Sequence, residues 1–270
     1  MDYKYWRKQA SDMPLFADLL WSRPENRTLA GKLLIVGGNS YGLAAPAAAY
    51  NEALQAGVGE ARVLLPDSLR ATVGHTFAAG EFAPSTPSGS LSQKALAELL
   101  PAASWADGVL LAGDLGRNSE TAILLEKFAA AYHGPLIITK DAADYFTAAP
   151  QSIVARPGTT LVLSFAQLQR LATGAHFSRP FRFAMDALHL VETLHTFTTV
   201  HAAAIVVKHA QAMFVASQGA VSSTRLTQDM EFWRVKTAAH TAVWQLQNPQ
   251  KPFEALTTAV YHIATNKKEA

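Results

Sequence analysis

Gly31-Lys32-Leu33-Leu34-Ile35-Val36-Gly37-Gly38-Asn39-Ser40-Tyr41-Gly42 is the stretch whose reading decides the fold. An aliphatic run stopped by glycines predicts a buried strand entering a turn. Small, helix-compatible residues follow from Ala44 to Ala56, and Gly57 is a fitting C-terminal stop. Ala61-Arg62-Val63-Leu64-Leu65, closed by Pro66, reads as a second strand. The three segments make a βαβ unit, for which a right-handed crossover is expected.

The alternation continues outward from this unit. Residues 80–90, rich in Pro, Ser and Gly, predict a loop, and 92–100 a helix. Gly108-Val109-Leu110-Leu111-Ala112 predicts a strand ending at Gly113-Asp114-Leu115-Gly116, with an amphipathic helix over 119–132. Strands are expected at 135–139 and 160–163, and a helix over 183–202. Residues 205–208 and 212–216 flank a short turn and predict a hairpin; helices over 229–247 and 252–265 close the chain. Strands alternating with helices imply an α/β sandwich with a mostly parallel sheet covered on both faces. The first 28 residues read as an arm or helix packed on a single domain from 29 to 270.

Composition narrows the classes of function. Hydrophobic residues make up 49% of the chain and charged residues 16%, a sparsely charged surface that suggests burial between subunits of a homo-oligomer. A formal charge of +2 with scattered basic residues argues against nucleic acid as a partner. The absence of cysteine excludes disulfides and thiol catalysis. The opening residues lack the apolar run of a signal peptide and no stretch suits a membrane span, so a cytoplasmic protein is expected. The nine histidines show no metal-ligand spacing, and no GxSxG elbow occurs.

Ligands of open parallel sheets bind beyond the carboxyl ends of the strands. Three predicted strand ends carry polar chemistry. Gly37, Gly38, Asn39, Tyr41 and Gly42 form either a cradle whose backbone N–H groups approach phosphate or ribose, or a tight turn needing positive φ. The run GGNSYG is not the dinucleotide fingerprint GxGxxG. Gly113, Gly116 and Arg117 belong to a second loop, whose arginine either pairs with phosphate or is solvated. Lys140 and Asp141 pair with each other, or Asp141 binds a hydroxyl.

Taken in order, these loops resemble the NAD(P)H-hydrate dehydratases of the ribokinase-like superfamily. Lys32 to Gly42 followed by Ala45-Pro46 is similar to that family's strand and GGSxxYxGAP, and Ala53 to Gly59 to its ALRAGAG-like helix end. Ala106-Asp107 and Gly113 to Arg117 resemble AD…GPGLGR, and Thr139 to Ala142 falls where the family has DADA. Ser164, Gln167 and Arg170-Leu171 fall on LTPHxxE…RL, Val206-Val207-Lys208 on VLKG, and Pro252 to His262 on PxEAA…AVYLH. The series spans roughly residues 29–265. It implies a ribokinase-like three-layer sandwich that binds a small-molecule nucleotide. In the family, ATP or ADP with Mg2+ drives removal of water from hydrated NADH or NADPH. Gly37, Gly38, Asn39, Tyr41, Gly42, Pro46, Gly113, Gly116, Arg117 and Lys208 are the binding residues so implied.

The family's catalytic GTGD motif opens the penultimate helix and supplies an anion hole with a carboxylate. By register it falls at Val235-Lys236-Thr237-Ala238, with Ala238 where the aspartate stands. Asp229 is the nearby acidic substitute, and Asp141 the other candidate catalytic residue. Loss of oxyanion-hole donors costs on the order of 10²–10³ in rate. The expectation is a divergent dehydratase-like protein that binds nucleotide or dinucleotide with impaired or lost catalysis. The alternative is an active ADP/ATP-dependent dehydratase or small-molecule kinase with a site rebuilt from Asp141, Lys208 and Asp229.

Overall fold

A computed structural model describes residues 3–10, 12–147, 149–226 and 233–265. Ten strands form one sheet among the described residues: β1 (Trp6–Gln9), β2 (Lys32–Gly37), β3 (Glu60–Pro66), β4 (Gly80–Ala83), β5 (Gly108–Gly113), β6 (Leu136–Thr139), β7 (Thr159–Leu163), β8 (Ala204–His209), β9 (Ala212–Ser217) and β10 (Ala220–Arg225). Their order is β1-β10-β9-β8-β7-β6-β5-β2-β3-β4. Only β9 runs against its neighbours; the other pairings are parallel.

The helices are α1 (Ala17–Trp21), α2 (Ala44–Gln55), α3 (Arg70–Val73), α4 (Leu96–Trp105), α5 (Ser119–Ala131), α6 (Asp141–Asp144), α7 (Gln151–Val154), α8 (Phe165–Gly174), α9 (Ala187–Val200), α10 (Trp233–Gln247) and α11 (Pro252–Thr265). Side chains alternate across a strand, so β2 feeds two cores. Leu33 and Ile35 pack with Ala45 and Ala49 of α2 and Ala239 and Val243 of α10. Leu34 and Val36 face the other way, toward Leu99 of α4, Leu124 and Phe128 of α5 and Leu194 of α9. All four β2 residues have no exposed surface, which explains why β2 reads as an unbroken apolar run. No described helix is long and apolar enough to cross a membrane.

Three strands depart from the sequence reading. Residues 6–9, expected in an arm, form an edge strand beside β10, with both central side chains exposed. Charged residues on an edge protect it from further pairing and hide its strand character from a hydropathy reading. Residues 80–83, expected in a loop, form the opposite edge strand, paired with β3. In β10, which the sequence reading left unassigned, half of the side chains are hydroxyls, whose burial is offset by bonds such as Ser222 to Thr257 at 2.7 Å. The helix expected over 183–202 begins at Ala187, where the Asp186 carboxylate accepts from the His189 amide at 2.9 Å.

Candidate functional site at the carboxyl edge of the sheet

The loops after β2, β5 and β6 meet at the carboxyl edge and are knitted together. Close approach of β2 and β5 requires glycine: a side chain at Gly37 would run into the Gly113 carbonyl oxygen. Gly113 itself has φ of +105°, and a Cβ there would lie 2.6 Å from Asp141 Oδ1. Asn39 fixes the first loop, accepting from the Tyr41 amide at 2.8 Å and donating through Nδ2 to the Asp114 carbonyl. The chain is pinched again where Asn39 bridges Gly42. Tyr41 is 93% exposed at the tip, whereas Pro46 is buried in the first turn of α2.

Two carboxylates dominate this edge, and both are turned into the scaffold. Asp141 accepts from the Asp114 amide at 2.7 Å and from the Leu115 amide at 2.9 Å, one bond to each oxygen. Burial pushes its carboxyl above the usual range, opposed by those two amides, with the charge of Asp114 pushing it up further. Asp114 sends one oxygen to the Ala45 amide at the start of α2, 2.7 Å away, and the other to Lys140 Nζ at 2.8 Å. The N-terminal dipole of α2 therefore already holds an anion from within the chain. Both Asp114 and Lys140 have positive φ, of 56° and 52°. Backbone held outside the common regions is sustained by surrounding contacts, and here the ion pair and the caps supply them.

A hub built on Gln167, which falls on the family's LTPHxxE position, lies one strand further along. Gln167 is 3% exposed and donates through Nε2 to the Lys140 carbonyl at 2.6 Å and to Asp144 at 3.1 Å. Its Oε1 accepts from the Ser164 amide at 3.1 Å and from Arg234 Nη1 at 3.0 Å. Gln167 thus ties the start of α10 to the ends of β6 and β7. The signal was present in the spacing Ser164-x-x-Gln167, a capping box that opens α8.

The structure brings Gly37, Gly38, Asn39, Gly42, Gly113, Gly116 and Asp141 into one cluster. Arg117 stands exposed beside it and makes no hydrogen bond or ion pair among the described residues. Lys208 is half-buried near the end of β8, across β7 from Lys140. Asp229 lies outside the described residues. Val235 to Ala238 fall in the first turns of α10, with Val235 and Ala238 packed in the core. Among the described residues no group of three His, Asp or Glu side chains could hold a metal ion.

The architecture has solved counterparts. The chain aligns over 98% of its length, and 88% of the other, with a ribokinase-like superfamily protein from Enterococcus faecalis, at TM-score 0.73 and 16% identity. The fold is ribokinase-like. The ADP/ATP-dependent NAD(P)H-hydrate dehydratase of Bacillus subtilis, co-crystallized with ATP/Mg2+, aligns with 94% of this chain at TM-score 0.58 and 13% identity, 88% of it being covered. A phosphomethylpyrimidine kinase from Clostridium difficile aligns with 87% of the chain, and is covered throughout, at TM-score 0.54 and 8% identity. No family model matches the sequence, and no curated protein matches it either. The ribokinase-like fold expected from the ordered loops is the one observed.

Proposed function

We propose that this chain is a divergent, NAD(P)H-hydrate dehydratase-like protein that binds a nucleotide or dinucleotide and has impaired or lost catalysis. The observation that carries the reading is the use of the strand-end carboxylates. Phosphoryl transfer to a hydroxyl needs a group to accept its proton and donors to stabilise the transferring phosphoryl. Asp141 and Asp114 have both oxygens committed to the Asp114, Leu115 and Ala45 amides and to Lys140. Both carboxylates are held by the scaffold, and a pair already bound by three amides and an ammonium group does not fit the role of a magnesium ligand. Support for nucleotide binding comes from the retained glycine loops and from a fold shared with the dehydratase co-crystallized with ATP/Mg2+.

Titration calorimetry against ATP, ADP, NADH and NADPH tests the binding half. Heat of binding is expected with at least one, and silence with all four rejects the reading. Incubation with hydrated NADH, magnesium and ATP or ADP tests the catalytic half, with no turnover expected at high protein concentration.

A second reading, an active dehydratase or small-molecule kinase, is favoured by the start of α10 at Trp233. Its second residue, Arg234, donates from its guanidinium to Gln167 at the same edge, at 3.0 Å, and Trp233 follows Asp229 by four positions in the sequence. Turnover in that incubation, abolished by Asp229→Asn, would establish it. Assembly into a homo-oligomer in the cytoplasm accords with the exposed Trp21 and Leu29, 88% and 73% accessible. Light scattering on the purified chain reads the assembly state.

A further inference from the structure

The helices on one face of the sheet bury polar chemistry that the glycine loops do not use. α10 packs against both α2 and α11. His240 and Trp244, four residues apart, share one face of α10 and are 4% and 0% exposed. His240 Nδ1 and Trp244 Nε1 are both buried, and neither has a hydrogen-bond partner among the described residues. A buried polar atom left unpaired costs about as much as a lost hydrogen bond, so two of them one turn apart call for a partner from outside the chain.

The surroundings fix the charge of that partner. Trp244 packs on Ala255 and Ala259 of α11, and the His262 ring from the same helix lies 5.8 Å from the Trp244 ring and 6.0 Å from the His240 ring. Arg23, just after α1, stands over the indole, 4.9 Å from its centroid. Glu52 of α2 brings a negative charge, but it is taken up by His240 Nε2 at 3.1 Å, with Lys236 Nζ at 3.9 Å. Asp18 of α1 is likewise taken, by Lys251 at 2.7 Å. Arg23, Lys236 and, when protonated, His240 and His262 bring positive charge. Burial pushes the His262 imidazole down, and the charges of His240, Arg23 and Lys236 push it further, so this place disfavours one more cation. The same potential favours an anion. The two nitrogens of an imidazole diverge, so His240 Nδ1 points away from Glu52, and an indole N–H donates without accepting.

We propose that a small monovalent anion of the halide class binds between α10 and α11, accepting from Trp244 Nε1 and from Nδ1 of a protonated His240. His262 and Arg23 flank it and balance its charge. The site ties the two closing helices together, and it stands independently of the nucleotide-binding reading.

Thermal unfolding of the full-length chain in bromide, compared with methanesulfonate at equal ionic strength and pH, gives the first test. An ion that binds the folded state alone raises the midpoint, and a saturable rise is expected with bromide. Trp244→Phe keeps a ring under Arg23 but removes the N–H, and His240→Gln keeps a donor for Glu52 but removes the second ring nitrogen. Each should raise the half-saturating bromide concentration about tenfold or more, whatever it does to stability in methanesulfonate. Diffraction from a crystal soaked in bromide gives the second test, with an anomalous peak expected between His240 Nδ1 and Trp244 Nε1. Should either variant fail to fold, that peak and the midpoint of the unaltered chain decide. A midpoint that does not distinguish the two anions, or saturation that both variants leave unchanged, overturns the proposal. So does density at that place without anomalous signal, which marks a water molecule. A peak with no effect on the midpoint marks an adventitious ion only and overturns it as well.

Discussion

The carboxyl edge of the sheet has an inner part and an outer part, and they treat charge in opposite ways. In the inner part, around the ends of β2, β5 and β6, Asp141 and Asp114 are spent on loop amides and on Lys140, and Asp144 on Gln167 and Arg170. In the outer part, beside α9, two arginines line an open cavity without a carboxylate partner. Charge satisfied within the chain stabilises a loop; charge left to the solvent is available to a ligand. The same set of residue types therefore serves as scaffold in one region and stands as unpaired surface charge in the other.

The contrast breaks most readily at Asp141. Asp141→Ala leaves two loop amides unpaired, at roughly 1–3 kcal/mol for each if they stay buried. Urea denaturation should show a large loss of stability, and an unchanged midpoint would mean that the inner edge is not held by this carboxylate. Gly113→Ala should cost about 1–3 kcal/mol, since it forces a side chain into positive φ against Asp141. Asp114→Ala removes the acceptor at the start of α2, worth about 1 kcal/mol for a typical cap, and leaves Lys140 without its partner. By contrast, Arg182→Ala should alter stability by no more than about 0.5 kcal/mol, as for an unengaged surface group.

A separate test concerns acid. His262, half-buried on α11 against His240 and Trp244 of α10, is held down to about 4 by burial and by the charges of His240, Arg23 and Lys236. A histidine with a lowered folded pKa binds its proton more readily when unfolded, so its contribution is intact above the ordinary value near 6.5 and is lost as pH falls toward 4. The thermal midpoint of the chain should fall across that window, and His262→Gln should flatten that part of the profile. An equally steep profile in the variant would move the acid sensitivity elsewhere.

Much of this was legible in the amino-acid order. Leu33 to Val36 stop at Gly37-Gly38 and Val109 to Ala112 stop at Gly113, and both became central parallel strands because unbroken apolar runs belong where both faces are covered. The edge strands Trp6–Gln9 and Gly80–Ala83 were not legible, because one face in water and few pairing partners leave no apolar signature. The glycines of the candidate site were found from their spacing. The fate of Asp141 was not, since its two partners lie 27 and 26 residues earlier in the chain. Arg179 and Arg182 gave no motif at all; their shared cavity exists only through the turn before α9.

Local order alone thus determined which segments are the central strands of a parallel sheet, where those strands stop, and that glycine loops crown the ends of β2 and β5. Burial pattern and turn chemistry are properties of neighbouring residues, so no fold is needed to read them. Only the tertiary structure decided which charges meet. Coulomb attraction and hydrogen bonding act over a few ångströms in space, and a carboxylate becomes scaffold or chemistry according to what the folded chain places beside it.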